Sequence, residues 1–246
     1  MALMRARRRP REEVGYRDLL ADLGRPGCPV CHGSHRAAWR YLDALLWEFV
    51  NDPGVRAHLR GTHGFCREHA QMAVALAAGQ GEGLGMAILY EDLLRNAQRA
   101  AGLAVEAGGR RRTWWRRRER GDVLAASTPC PACESAARVA DNYLRILARA
   151  APDSEPGGLV RQPGRGLCLP HLAAGLGRAG TLEERERLVH CFEHGATDLR
   201  AELREYLRKS DYRFRHEGFT PGEASAWRRA VHRLVGEPAP RKPPER

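Results

Sequence analysis

The sequence predicts an all-α protein made of two tandem, pseudo-symmetric helical repeats, each with a cysteine–histidine knuckle, and a C-terminal helix. Three observations predict it. One set of residues recurs at a fixed offset, apolar residues recur with the period of a helix, and no segment alternates with the period of two that marks a strand.

The recurrence is the strongest signal. Cys28-Pro29-Val30-Cys31 and Gly64-Phe65-Cys66-Arg67-Glu68-His69 return as Cys130-Pro131-Ala132-Cys133 and Gly166-Leu167-Cys168-Leu169-Pro170-His171, each 102 positions on. The same offset pairs Arg36 with Arg138, Tyr41 with Tyr143, Leu42 with Leu144, Leu45 with Leu147, Glu82 with Glu184 and Glu91 with Glu193. With seven cysteines in 246 residues, a shared offset for three cysteines and a histidine is not a chance event.

Taken in order, residues 1–26 form a basic N-terminal segment with a short helix over 12–23. Repeat 1 covers 27–106. Its first helix carries Ala38, Tyr41, Leu42, Leu45, Leu46 and Phe49 on one face, and Asp52-Pro53-Gly54 ends it. The Cys66–His69 pair opens a short helix over 70–78. A long helix follows, with Met86, Leu89, Tyr90, Leu93, Ala97 and Ala100 on one face; the glycine-rich run over 79–85 is its flexible entry. Residues 107–127 form an Arg- and Trp-rich linker.

Repeat 2 covers 128–209 and keeps the stripe through Ala140, Tyr143, Leu144 and Leu147. Its first helix is ended by Pro152 and Pro156, and a short helix spans 172–178. Thr181 with Glu184 forms a capping box for the second long helix, whose apolar face includes Leu188, Cys191, Phe192, Gly195, Leu199, Leu203 and Tyr206. Thr220-Pro221-Gly222-Glu223 is a second capping box, opening a last helix to about Val235. Within the terminal segment 210–246, the proline-rich tail from Glu237 is expected to be disordered. Tyr212, Phe214 and Trp227 are candidates for packing the last helix on the body.

The chemistry lies in the repeated cysteines. No apolar run approaches the length that spans a membrane, and the basic start lacks the apolar core of a signal peptide. The expected compartment is the reducing cytoplasm, where clustered cysteine pairs point to metal rather than to disulfides. Three thiolates and one imidazole are the donor set of a tetrahedral structural zinc site. The candidate ligands are Cys28, Cys31, Cys66 and His69, and Cys130, Cys133, Cys168 and His171, giving two Zn2+ per chain. Since each copy holds a complete set, pairing within copies is expected, with pairing across copies as the alternative. An iron–sulfur cluster is the alternative cofactor.

Four protein ligands leave no open position, and no nucleophile–base pair or cofactor loop is present, so no enzymatic activity is expected. Cys191 aligns with Leu89 and reads as a core residue; His190 and His194 read as an ordinary helix surface. Glu91 and Glu193 are candidates for bonding a ligand histidine or a repeat-specific arginine. The net charge of +11 rests almost wholly on arginine, lysine appearing only at 209 and 242. That bias weakens the charge as a sign of an acidic partner. The segment from Arg110 to Arg120, with Trp114 and Trp115 among arginines, is the candidate surface for a protein or nucleic-acid partner.

The CPxC and GxCxxH pairs, together with Leu207-Arg-Lys-Ser-Asp-Tyr-Arg-Phe214, resemble an uncharacterised bacterial family catalogued only as a domain of unknown function. The resemblance spans roughly residues 15–235 and implies a duplicated cysteine-motif protein without an assigned activity. The expected function is a zinc-binding helical scaffold or adaptor in regulation. The alternative is a redox protein, either an iron–sulfur carrier or a thiol switch that releases zinc on oxidation.

Overall fold

A computed structural model of the chain describes residues 14–80, 83–108 and 128–240. The described residues are all-α: ten α-helices and no strand, the only ladder-like contact being a single bridge between Gly27 and Arg165. No helix among them is long and apolar enough to cross a membrane. The segment from Arg110 to Arg120 lies outside the described residues, as does the tail beyond 240.

Helices α1 (Tyr16–Leu23), α2 (Pro29–Ala44), α3 (Pro53–Gly61), α4 (Arg67–Gln80) and α5 (Leu84–Gly108) make up the first half. Helices α6 (Pro131–Arg149), α7 (Glu155–Val160), α8 (Leu169–Leu176), α9 (Leu182–Ser210) and α10 (Pro221–Val235) make up the second. The starts of α2 and α6, of α3 and α7, and of α4 and α8 lie 102 positions apart.

Two short helices were not expected. Asp52-Pro53 does end the first helix, but it also starts α3. Asp52 is its N-cap, its carboxylate accepting from the Val55 N–H, and Pro53 sits where no backbone donor is needed. Ser154 caps α7 in the same way, ahead of Pro156. Between α2 and α3 a π-helical turn over Leu45–Phe49 shifts the phase of the apolar stripe. Leu45 is buried, whereas Phe49, expected on the same face, is 44% exposed. The capping residues Thr181 and Thr220 stand as the sequence indicates, Thr220 and Glu223 exchanging both bonds of the box.

The chain divides into two compact units that do not follow the two copies. Unit 1 comprises Met1–Ser34 and Arg138–Pro238; unit 2 comprises His35–Ala137 and Ala239–Arg246. The boundary falls inside α2 and inside α6, so each of these helices begins in one unit and ends in the other.

The core of unit 1 gathers Leu19 and Leu23 of α1, Tyr143, Leu144 and Leu147 of α6, and Leu167 and Leu188. Each such side chain contributes about 1.5–3 kcal/mol when fully buried. Asp22 is fully buried beside them and accepts from the Tyr143 hydroxyl at 2.8 Å and from Arg25 at 2.5 Å. Cys191 belongs to this core, and burial pushes its thiol up to about 12. The core of unit 2 gathers Ala38, Trp39, Leu42 and Leu45 with Leu59, Met72, Leu76, Leu89 and Leu93.

Helix α10 packs on α9, but through different residues from those expected. Tyr212 is 81% exposed, Phe214 stacks against the guanidinium groups of Arg208 and Arg213, and Trp227 is half exposed. Lys209 donates to both oxygens of Glu223 at 2.9 Å, Arg229 pairs with Glu202, and Ala226 is fully buried.

Candidate metal centres

All four ligand pairs occupy the same local position. Cys28, Cys66, Cys130 and Cys168 each stand just before a helix, and the carbonyl of each accepts the N–H four residues on, at 3.2, 2.8, 3.1 and 2.9 Å respectively. The second ligand of each pair, Cys31, His69, Cys133 or His171, lies in the first turn of that helix. The free N–H groups and the positive end of the helix dipole there favour thiolate. The glycine in each GxC has its own cause: Gly64 and Gly166 adopt φ of +92° and +125°, a region that side-chain-bearing residues avoid.

The eight residues form two clusters, each with three sulfurs and one Nδ1 within 4.8 Å of one another. Centre 1, in unit 1, joins Cys28 and Cys31 of α2 to Cys168 and His171 of α8. Centre 2, in unit 2, joins Cys66 and His69 of α4 to Cys130 and Cys133 of α6. The expectation that ligands pair within a copy is therefore wrong. Each centre takes its CxxC from one copy and its CxxH from the other.

The physical reason lies in α2. Its 16 residues rise about 24 Å at about 1.5 Å per residue, and the helix begins in unit 1 and ends in unit 2, so the CxxC and the CxxH of one copy fall in different units.

The spacing fits one tetrahedral ion. With metal–sulfur bonds of about 2.3 Å and metal–nitrogen bonds of about 2.0–2.1 Å, a tetrahedron has S···S edges of about 3.8 Å and S···N edges of about 3.5 Å. In centre 1, Cys31 and Cys168 Sγ are 3.7 Å apart, and Cys28, Cys31 and Cys168 Sγ lie 3.6, 3.4 and 3.1 Å from His171 Nδ1. In centre 2, the S···S distances are 3.4 Å (Cys130–Cys133) and 3.7 Å (Cys66–Cys133). Cys66, Cys130 and Cys133 Sγ lie 3.2, 3.4 and 3.3 Å from His69 Nδ1. Either cluster could hold a metal ion.

Electrostatics lead the same way. In centre 1, hydrogen bonds from the Cys28 and Cys31 thiols hold Cys168 well below the usual thiol range, while the bond to Cys168 pushes Cys31 far up. In centre 2, burial and the bond to Cys130 push Cys133 up. Three sulfurs this close cannot all ionise without a cation among them.

Centre 1 is closed in by the C-terminal segment, which the sequence had assigned to a disordered tail from Glu237 onwards. Glu237 accepts from the Cys28 N–H at 2.5 Å and pairs with His32 Nε2 at 2.9 Å, and its own N–H points at Cys31 Sγ at 3.5 Å. Burial opposes ionisation of both His32 and Glu237, but their mutual hydrogen bond prevails, holding His32 up and Glu237 down. Arg233 is buried and donates to the carbonyls of Leu167 at 2.9 Å and Arg165 at 3.1 Å. Burial lowers its pKa, and the adjacent Cys28 and Cys168 sulfurs partly offset this. Three thiolates around a dication would leave one negative charge, which Arg233 would match. Gly195 makes room for this contact: a Cβ there would lie 2.1 Å from the Arg165 carbonyl oxygen. A lone Arg and a lone Glu, far from the repeats in sequence, gave no signal of this role.

Centre 2 is less enclosed. Its Cys66 and Cys133 are only partly buried, whereas all three cysteines of centre 1 are buried. Burial raises the nearby Tyr90 hydroxyl, with a smaller effect from Cys130. Glu91 and Glu193 do not serve either centre. Glu91 pairs with Arg95 at the surface, and Glu193 faces His190 on exposed α9.

No solved structure matches the chain. Among curated proteins it is similar to the "Uncharacterized 23.9 kDa protein in xynA 3'region" of Caldicellulosiruptor sp. (strain Rt8B.4). The two are 26% identical over 218 residues, which is 89% of this chain and 99% of the relative. A family model matches residues 23–240, and the chain thus belongs to the family of unknown function DUF6062.

Proposed function

We propose that the chain is a zinc-binding helical scaffold: an adaptor, regulatory in role, whose metal ions fix the fold while its surface engages a protein or nucleic-acid partner. The observation that carries this reading is the donor set. Each cluster offers three sulfurs and one imidazole nitrogen at the edge lengths of a single tetrahedron. That set suits zinc, and four protein donors leave no position for substrate or water. The four donors of each cluster lie within 4.8 Å of one another, a spread that suits one ion better than a cluster whose ligands sit on separate irons.

The second reading, a thiol switch that releases its metal on oxidation, is favoured by the partial exposure of Cys66 and Cys133 in centre 2. Metal analysis of protein purified without oxygen separates the readings. Two zinc ions per chain in a colourless protein, kept after brief peroxide treatment, support the scaffold. Iron with sulfide, or loss of one ion to peroxide together with a Cys66–Cys133 or Cys130–Cys133 disulfide, replaces it with the redox reading.

A further inference from the structure

A groove of about 490 Å³ opens on unit 1, away from the metal ligands, where α6 passes the end of α8 and the start of α9. Four arginines stand around it: Arg138, Arg145 and Arg149 along α6, and Arg178 just beyond α8. They are seven and four residues apart on α6, so they share one helix face. The floor is apolar, formed by Leu144, Ala148 and Ala179.

The charges in the groove do not cancel. Arg178 pairs with Asp141 at 2.9 Å and also donates to the Ala174 carbonyl at 2.8 Å, while Arg149 lies 3.6 Å from Glu184. Those two carboxylates hold two guanidinium groups in place. Arg145 is steered instead by a neutral group, the Asn142 side-chain oxygen, at 2.5 Å. No carboxylate within ion-pair distance of Arg138 or Arg145 is found among the described residues. The groove therefore keeps two excess positive charges above an apolar floor.

The two copies also differ here. At the 102-residue offset, Arg138 corresponds to Arg36, but Arg145, Arg149 and Arg178 correspond to Asp43, Trp47 and Leu76. Arginine bias alone would load both copies. Three of the four guanidinium groups are confined to the second copy, where the groove is.

We propose that this groove binds a small organic phosphate. A guanidinium matches a phosphate with two parallel N–H···O bonds. A single carboxylate would offer no more than Asp141 and Glu184 already do, whereas a dianionic phosphate can engage Arg138 and Arg145 together and share Arg149 or Arg178. The volume exceeds what a phosphate alone fills and lies in the range of small-molecule sites. The apolar floor takes the organic body of the ligand. The proposal does not depend on the metal reading.

The test is calorimetric titration of the full-length, metal-loaded chain with inorganic phosphate, pyrophosphate and adenosine monophosphate in about 0.15 M salt, where exposed charges are screened beyond about 8 Å. Adenosine monophosphate is expected to bind more tightly than inorganic phosphate. Arg138→Ala and Arg145→Ala should each weaken binding by about tenfold or more, the loss of one charge-assisted bond. Arg200→Ala, which removes an exposed charge elsewhere on α9, should leave it unchanged. Both groove arginines are exposed, so circular dichroism and metal content should match the parent in every variant. Failure of all three probes to bind, equal losses in Arg200→Ala, or undiminished binding in both groove variants would overturn the proposal. So would binding of a single-stranded oligonucleotide with no binding of the monophosphate, which would make this a nucleic-acid surface.

Discussion

Crossed pairing makes a forecast that inverts depending on which cysteines are replaced together. In the chain Cys31→Ser/Cys168→Ser both substitutions fall in centre 1, and the two sulfurs that they replace are 3.7 Å apart. In Cys31→Ser/Cys66→Ser they fall in the same copy but in different centres. A structural zinc site contributes on the order of 10 kcal/mol, and replacing one of its four ligands removes about half of that or more. For a chain of this size, about 1 kcal/mol shifts Tm by about 2–4 °C. Cys31→Ser alone should therefore lower Tm by about 10–20 °C and release one ion. Adding Cys168→Ser should cost only about 2–4 °C more, because the ion it served has already gone, and one ion per chain should remain. Adding Cys66→Ser instead should cost a second full increment and leave none. Elemental analysis and thermal melts by far-UV circular dichroism read both quantities. One ion retained by Cys31→Ser/Cys66→Ser and none by Cys31→Ser/Cys168→Ser would refute crossed ligation and restore pairing within copies.

Two further expectations test the packing around the centres. Tyr143→Phe deprives the fully buried Asp22 carboxylate of the hydroxyl at 2.8 Å. It should cost about 1.5–3 kcal/mol in urea unfolding, and a change within 0.5 kcal/mol (roughly the measurement limit) would remove that bond from the account of unit 1. The hydrogen bond from Lys209 holds Glu223 below the usual carboxylate range. Its contribution is present above the unfolded pKa and is lost as pH falls through the lower folded value. Amide exchange should therefore find α10 better protected in the parent than in Glu223→Gln at pH 7, with the gap closing in acid; a gap that widens in acid contradicts the sign.

The recurrence of the motifs, the eight cysteines and histidines that cluster and the all-α class could be read from residue types and spacing, because donor chemistry and the period of 3.6 are local properties. The partners of each ligand could not be read in that way. Cys31 and Cys66 stand in the same register as Cys133 and Cys168, so both pairings satisfy the same motif. The deciding feature was that α2 begins in one unit and ends in the other, and α3 was hidden because Asp52-Pro53 reads as a stop as readily as a start. The roles of Arg233 and Glu237 were invisible for another reason. Apart from the Glu237–His32 pair, their partners are the backbone groups of Leu167, Arg165 and Cys28, which leave no trace in residue identity. The π turn at Leu45–Phe49 likewise left no marker, so Phe49 was placed on a face from which the wider turn removes it.

The crossed clusters also fix the order in which a growing chain can bring their residues together. Centre 2 needs His69 and Cys133, 64 residues apart, and is complete once Cys133 has emerged. Cys31 is made before any of the centre 2 ligands, yet must wait for His171, 140 residues later. At about 5–20 residues per second, that interval is about 7–28 s. During it Cys28 and Cys31 lack their cluster partners, while all four residues of centre 2 lie between them and those partners along the chain. The first of the eight residues to be synthesised are thus the last to meet their partners, and closure of centre 1 requires that the CxxH of the second copy has been translated.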